Sequence, residues 1–508
     1  MKILGLNPKD FFIGWPVQSD FFRERVSVSA LTFPVLKQLL PPGHEMRFLD
    51  GFYEPIPMKE YLNRICWADV VGLNIVASYS AISYAVAIQQ IKRLNPSAFI
   101  IAGGHHANMY PERWLSLGVD LIVRGEAELM FAQLVEEISG KRQFDKVPGV
   151  MFMKDGQIVD TPQLPQIKTL DESPIPDWDM IKFKYYLNNF NKKKDSTAPL
   201  ETSRGCVFRC NFCAVPVFWK GTQRYKSIGR VVEELKQLTA RHVRQLVIVD
   251  DGFGNDLDHT LELMDEFGKF PDMPYWTSFI RLDTVLNKPE IIERLAAGGM
   301  RMAMIGFESI NEDALEIYFG KGMRKKATLK EYQEIYKQFK LNKIMVNGLF
   351  MSSHPDMDVN METSYLVART VCDDPHTVNY MPFPGTPGFN EITEKHKIKD
   401  MFFHDMKLPI FESSRRESLL FNLLNLFDVA RALRMIATAS YYRYNYFLVH
   451  RRLLARFIRV DRRKIRDFLL MRRKDLTSDE KQDQLMRWYL EDPKYRKWLD
   501  NLTDKVFF

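Results

Sequence analysis

The stretch Cys206-Val-Phe-Arg-Cys210-Asn-Phe-Cys213 packs three of the chain's five cysteines into eight residues. Soft, deprotonated sulfur is the ligand that iron-sulfur centres select, and three thiolates at C-x-x-x-C-x-x-C can hold three corners of a cubane 4Fe-4S cluster. The other cysteines, Cys66 and Cys372, stand far away in the chain, so one iron of such a cluster is left open to an exogenous ligand. An open iron turns an electron carrier into a catalyst. A structural zinc site needs four ligands, usually in two pairs, and neither a second C-x-x-C nor a histidine pair lies nearby. Cys206, Cys210 and Cys213 are therefore the candidate metal-binding and catalytic residues.

Around this motif the chain adopts a βα rhythm. Strands are expected near Leu200 and over Gln245–Val249, Tyr275–Ile280, Met302–Ile305, Ile344–Phe350 and Thr377–Tyr380. The helices between them are readable from their punctuation: Ser227 ahead of Val231–Leu238, Pro289 opening Glu290–Ala297, and Asn311 capping Glu312–Phe319 before Gly320. Six such units make a partial TIM-like barrel, whose chemistry belongs at the carboxyl ends of its strands. The cysteine loop directly follows the first strand. Asp250 and Asp251 end the second, Arg281 the third and Glu308 with Ser309 the fourth, while Asn347 sits within the fifth.

Upstream, short apolar runs at Lys2–Leu6, Met46–Leu49, Val70–Ile75, Ala98–Ala102 and Leu121–Val123 alternate with helical stretches. Ile82, Ala85, Ile88, Ile91 and Leu94 recur at threes, the spacing of a helix that crosses over between buried parallel strands. Five strands of this kind form a doubly wound, Rossmann-like sheet, which binds ligands outside the carboxyl ends of its strands. There the third strand runs into Ser78 and Tyr79, the fourth into Gly103-Gly104-His105-His106, and the fifth into Arg124-Gly125-Glu126-Ala127-Glu128. Residues 161–180 hold four prolines, an extended connector. The resulting division is an amino-terminal domain over 1–160, a linker over 161–195, a barrel over 196–400 and a helical region over 401–508.

The cysteine motif, with Phe212 before its last cysteine, resembles that of the radical S-adenosylmethionine (radical SAM) superfamily. The amino-terminal pattern is similar to the cobalamin-binding domain that precedes the barrel in one branch of that superfamily. Its Gly-Gly-His turn, the D-x-I-V-x-G-E-x-E segment at Asp120–Glu128 and the order of domains agree. Arg224–Ile228 and Pro382-Phe-Pro-Gly-Thr-Pro387, which resembles the family's P-G-T-P turn, fit as well. Two departures stand out. The first-strand loop from Asn7 to Gly14 contains no histidine to ligate cobalt, and Met351-Ser-Ser-His-Pro355 replaces a glycine-rich segment. The resemblance implies a 4Fe-4S cluster, SAM and cobalamin as cofactors. It implies SAM contacts by Phe212, Asp250, Asp251, Arg281, Glu308, Ser309 and Asn347. Cobalamin contacts fall to Ser78, Tyr79, Gly103, Gly104, His105, Gly125 and Glu126. The implied chemistry is reductive cleavage of SAM to a 5′-deoxyadenosyl radical and methylation of an unactivated carbon. Members of the branch also perform ring contraction or oxidative cyclisation on the same scaffold.

Composition bounds the partners. At 46% apolar and 27% charged residues the chain reads as an ordinary globular protein. Five cysteines without a disulfide framework suit a reducing cytoplasm. Of the net charge of +7, a local +12 sits between Arg431 and Lys474, leaving −5 for the remainder, which is unlike a nucleic-acid binder. That basic stretch alternates with Leu453, Leu454, Phe457 and Ile458, in keeping with a helical cap over a substrate chamber or with peripheral contact to an anionic membrane. An apolar roof suits a small lipid, terpenoid or tetrapyrrole substrate, and the chemistry calls for an electron donor such as flavodoxin or ferredoxin. A non-catalytic iron-sulfur sensor with a membrane-binding tail is the reading from another class. A sensor has no use for a SAM pocket, which the Glu308–Ser309 strand end and the P-G-T-P turn suggest.

Overall fold

Neighbouring apolar residues in the amino-terminal strands divide between two hydrophobic layers. Val70 packs with Phe131, Leu134 and Val135, whereas Val71 packs with Ile65, Ile88 and Ile91. Leu121 and Ile122 divide in the same way. A strand with apolar residues on both faces must be covered on both, which is the condition for a parallel sheet between two layers of helices. The computed structural model describes residues 1–8, 28–54, 56–76, 81–188, 195–309, 312–319, 328–351, 367–378, 380 and 383–395. Ser78, Tyr79, most of the loop after the first strand, the 352–355 segment and residues 401–508, expected from the sequence to be helical, lie outside the described residues.

The first sheet contains β1 (Lys2–Asn7), β2 (Glu45–Asp50), β3 (Val70–Asn74), β4 (Phe99–Gly103), β5 (Leu121–Val123), β6 (Val150–Lys154) and β7 (Gln157–Asp160), in the order β2-β1-β3-β4-β5-β6-β7. The first five are parallel. The strand order reverses between β1 and β3, which opens a crevice at their carboxyl ends. The helix Ala81–Leu94 makes the crossover from β3 to β4. Antiparallel β6 and β7 extend the sheet beyond the five expected strands. They turn at Asp155-Gly156, both with positive φ, a tight hairpin turn signal.

The second sheet contains β8 (Leu187–Asn188), β9 (Asp195–Leu200), β12 (Gln245–Ile248), β13 (Tyr275–Arg281), β14 (Met300–Glu308), β15 (Met345–Met351) and β16 (Asp374–Val378). Their order is β16-β15-β14-β13-β12-β9-β8. Six of these are parallel in chain order, the partial barrel expected, and β8 adds antiparallel to β9 at one edge. Leu246, Ile248, Ile280, Ile305 and Val346 face outward onto Val231, Leu235, Leu263, Phe267 and Phe339 of the helices. Strand β16 begins three residues before its expected start, because it opens on buried Asp374 and His376, whose polarity hid it. The small hairpin of β10 (Ser203–Gly205) and β11 (Gln223–Tyr225) was not anticipated, and it forms the stem of the cysteine loop.

The connector docks through polar contacts as well as prolines. The hydroxyl of Tyr186 donates to Oδ2 of Asp50, at the carboxyl end of β2, over 2.8 Å, and Lys182 pairs with Glu54. Burial pushes the Asp50 carboxyl up to about 6 against the pull of the Tyr186 hydrogen bond.

Candidate active site at the junction of the two sheets

The cysteine loop is a closed loop on an antiparallel stem. Ser203, Arg204 and Gly205 pair with Tyr225, Arg224 and Gln223. At the neck, Gly205 has φ +92°, and a Cβ there would stand 2.2 Å from the carbonyl oxygen of Thr222, so the stem closes only around glycine. Within the loop, the amide of Cys213 donates to the carbonyl of Cys210 over 3.1 Å, a tight turn that keeps these two residues on one side. All three thiols are free. Cys66 and Cys372 sit elsewhere, against the carbonyls of Leu94 and Ala368.

The two aspartates after β12 brace this loop. Asp250 is fully buried and accepts from the amide of Thr202 at 2.7 Å and from the hydroxyls of Thr202 and Ser203 at 2.5 and 2.8 Å. Burial pushes its carboxyl up to about 6, and those hydrogen bonds pull the other way. Oδ2 of Asp251 accepts from the amide of Gly205 at 3.0 Å and from the indole of Trp219 at 2.9 Å, clamping the loop at both ends. The sequence pointed to both aspartates as SAM contacts. The structure commits Asp250 to the residues ahead of the motif and Asp251 to the loop itself.

Around the thiols, Arg281 donates through Nη1 to Sγ of Cys210 at 3.7 Å, and Asn255 donates through Nδ2 to Sγ of Cys206 at 3.6 Å. Burial raises the Cys210 thiol, with Arg281 opposing. Burial pushes Cys213 up to about 12, and the neighbouring Cys210 and Cys206 add to the rise. Phe212 meets Tyr318, Phe319 and Tyr380 edge-on at 6.1 to 6.3 Å between centroids. Its carbonyl accepts from the amide of Phe383, just ahead of the P-G-T-P turn, at 3.1 Å. Glu308 ends β14 with φ +61°, an unfavourable conformation for a residue with a side chain, and its charge acts on Cys210. Ser309 is buried beside it, its amide on the carbonyl of Phe307 at 2.7 Å. Asn347 lies deeper in the barrel, 3.5 Å from Asp374.

The carboxyl edge of the first sheet meets this loop. Glu126 lies after β5, and one oxygen accepts from Arg204 at 2.6 Å. The other accepts from Arg224 at 2.8 Å and from the amide of Ile167 at 3.0 Å. Arg204 also reaches Glu128 at 2.8 Å and, through two nitrogens, Glu201 at 3.0 Å. Burial alone would raise Glu201, but Arg204 and Lys226 hold it below its ordinary value. Glu126, whose family position implied a cobalamin contact, is tied here to the stem of the cysteine loop. Gly103 closes β4 in ordinary contact with Val123. Gly104, with φ +92°, would place a Cβ 2.7 Å from the carbonyl oxygen of Ile75, so the glycine serves a close backbone crossing with the end of β3. Gly125 turns beside open space.

His105 is buried, and its Nε2 donates to the carbonyl of Pro384 in the P-G-T-P turn at 3.2 Å. Its ring meets Phe218, five residues past Cys213, edge-on at 6.0 Å. Burial lowers its pKa, and with Nε2 donating, Nδ1 of the neutral ring is an acceptor that meets no donor among the described residues. His106 is a core residue whose Nδ1 accepts from the Trp114 indole. Asn255, Arg204 and Trp219 were missed in the sequence, and Arg224 was noted only as the start of the Arg224–Ile228 segment. Arg204 adjoins the motif, and Asn255 closes the polar, glycine-rich run Asp250-Asp-Gly-Phe-Gly-Asn255 between a strand and a helix, so a signal existed for both.

These residues fit the implied groups. Among the described residues no three His, Cys, Asp or Glu side chains converge tightly enough to chelate one metal ion. The C-x-x-x-C-x-x-C spacing puts the three thiols in one short loop, where each can bind a separate iron of a cluster. Buried thiols that resist deprotonation need a nearby cation to become thiolates, which iron supplies. At the first sheet, the orphaned Nδ1 of His105 and the half-exposed apolar Val76 and Leu129, after β3 and β5, offer an acceptor and a dry wall to a large ligand.

Comparison with known proteins agrees with this arrangement. Residues 200–360 match the radical SAM superfamily model, and residues 28–135 match the B12 binding domain model. An uncharacterised methyltransferase of Pyrococcus horikoshii is 27% identical over 359 residues, which is 69% of this chain and 75% of that one. The hopanoid C-3 methylase of Methylococcus capsulatus is 25% identical over 386 residues, 73% of this chain and 70% of its own. The structure of the radical S-adenosylmethionine methyltransferase TsrM from Kitasatospora setae, with cobalamin and a 4Fe-4S cluster bound, superposes with a TM-score of 0.60. It covers 78% of this chain and 75% of that one at 18% identity. The chain carries a radical SAM domain with a B12 binding domain ahead of it. It is a radical SAM enzyme with methyltransferase relatives.

Proposed function

We propose that this protein is a cobalamin-dependent radical SAM C-methyltransferase acting on a small, largely apolar molecule. The observation that carries the reading is the placement of the three-thiol loop against the carboxyl edge of the first sheet, with His105 and Glu126 spanning the junction. Cys206, Cys210 and Cys213 would hold the cluster, and the loops after β3, β4 and β5 would hold cobalamin. When bound, cluster and SAM supply a 5′-deoxyadenosyl radical and cobalamin supplies the methyl group.

The chain's own residues position and insulate. Asp251 holds both ends of the cysteine loop, and Glu126 holds both strands of its stem. Phe212 and its aromatic neighbours offer a stacking surface beside the motif for the adenine of SAM. On β13, Ile280 faces the helices and Arg281 faces the thiols, so Phe279 shares the inner face; it is 43% exposed, and Val207 in the cysteine loop is 53% exposed. An open barrel lined by such residues suits an apolar substrate. A flavodoxin- or ferredoxin-like donor would reduce the cluster in the cytoplasm. The units would be 1–160 for cobalamin, 196–400 for the radical SAM barrel and a helical 401–508. Among the described residues no helix is long and apolar enough to cross a membrane.

The test is metal content of anaerobically reconstituted protein given cobalamin, beside a variant with Cys206, Cys210 and Cys213 all changed to alanine. About four irons per chain are expected in the parent and none in the variant, with roughly one cobalt in both. Iron without cobalt would remove the methyl-transfer mechanism. The second reading keeps the same cofactors for a non-methylating rearrangement or cyclisation. Accumulation of S-adenosylhomocysteine with substrate present supports methyl transfer over it.

A further inference from the structure

Two N–H groups, one from the loop after β12 and one from the end of the neighbouring β13, point at two of the three thiols, and the orientation of both is fixed by other groups. The carbonyl of Gly252 can only accept, so the group of Gln223 lying 2.8 Å from it is the amide nitrogen. Oε1 of Gln223 then faces Asn255 and accepts from its Nδ2 at 2.9 Å. An amide nitrogen has two hydrogens. One serves Gln223, and the other is left for Sγ of Cys206, 3.6 Å away.

Arg281 is held as a plane. Its Nε and Nη2 donate to the two oxygens of Asp283 at 2.9 and 2.6 Å, and its guanidinium lies 3.6 Å from the centroid of the Phe208 ring. Those contacts leave Nη1 directed at Sγ of Cys210. The expected SAM-clamping role of Arg281 would require breaking this arrangement.

Hydrogen bonds to the sulfurs and nearby charge set the potential of an iron-sulfur cluster. The reduced cluster carries one more negative charge than the oxidised one, so a donor or cation at a coordinating thiolate stabilises the reduced form more. We propose that Asn255 and Arg281 raise the reduction potential of the cluster on Cys206, Cys210 and Cys213, and that Asp283 restrains the contribution of Arg281 by offsetting its charge. The inference rests on the reading of these cysteines as cluster ligands.

The test is a redox titration of the full-length, anaerobically reconstituted protein, following the paramagnetic signal of the reduced cluster, with iron content measured on each sample. Arg281→Gln moves the potential negative. At the poise where the parent is half reduced, the reduced-to-oxidised ratio falls about tenfold, which is 59 mV for a one-electron couple. Arg281→Lys recovers part of the shift because the charge remains. Asn255→Ala moves it the same way by less, since a neutral dipole is lost. Asp283→Asn moves it positive. General loosening of the site cannot produce these opposite signs. Iron-loaded variants whose potentials stay at the parent value, or all shift in one direction, overturn this inference and leave the cluster assignment standing. A parent protein that takes up no iron overturns the cluster assignment itself.

Discussion

The carboxyl edges of the two sheets are both polar, yet their polar groups act in different directions. In the barrel, Asp250 and Asp251 turn inward on the segment between β9 and the cysteines and hold their own domain's loop. In the first sheet, Glu126 and His105 turn outward and hold the neighbouring domain's stem and P-G-T-P turn. The lesson is that the first domain is structural support for the cysteine loop whatever else it binds. The junction is dry enough for this to matter, because the Arg204 and Glu126 side chains are only 11% and 4% exposed.

The outward contact is broken most directly at Arg204. Arg204→Met leaves Glu126, Glu128 and Glu201 partly uncompensated in a buried setting, which should cost about 3–5 kcal/mol of stability by denaturant or thermal unfolding. A loss under about 1 kcal/mol would mean that the network does not bind the domains together.

A second polar contact across the same boundary, Asp50 with Tyr186, should respond in the opposite sense. The folded chain holds the Asp50 proton up to about pH 6, against an ordinary value of 3.8. The folded state therefore binds more protons than the unfolded state in that window, and stability falls as pH rises from about 4 to about 6. Asp50→Asn can still accept from the Tyr186 hydroxyl or from the Phe52 amide through its remaining oxygen, and it carries no charge to bury. It should stabilise the protein at pH 7 by on the order of 1–3 kcal/mol, since each tenfold change in proton affinity is worth about 1.4 kcal/mol, with the gain vanishing below about pH 4. A pH-independent difference would refute the buried charge.

The smallest effect belongs to the inward brace. Asp251→Ala removes acceptors from the Gly205 amide and the Trp219 indole, at a cost of about 1–2 kcal/mol. Asp251→Asn should recover most of it, since one oxygen accepts both bonds. Indole fluorescence reports the freed Trp219, and iron retention on the alanine variant measures how far loop geometry depends on the brace.

Much of this organisation was legible in the residues. The five amino-terminal strands, the six parallel barrel strands and the cysteine motif were marked by apolar runs, cap residues and thiol spacing, signals that act over a few residues. The β10–β11 stem escaped because Ser203-Arg-Gly205 and Gln223-Arg-Tyr225 carry no apolar alternation and are held by arginines buried against another domain. Strand β16 was displaced because its first buried residues are charged or imidazole side chains.

Site residues follow the same division. The sequence by itself determined which atoms could do chemistry here, because ligand type and motif spacing are local properties of the chain. Only the tertiary structure decided what each flanking polar residue does. Asp250 became a brace, Arg281 a donor to sulfur and Glu126 an interdomain clamp, since the partner of a buried polar group depends on which strand ends the fold brings within hydrogen-bond reach. A buried carboxylate or guanidinium must find such a partner or unsettle the fold. No local pattern states where that partner will come from.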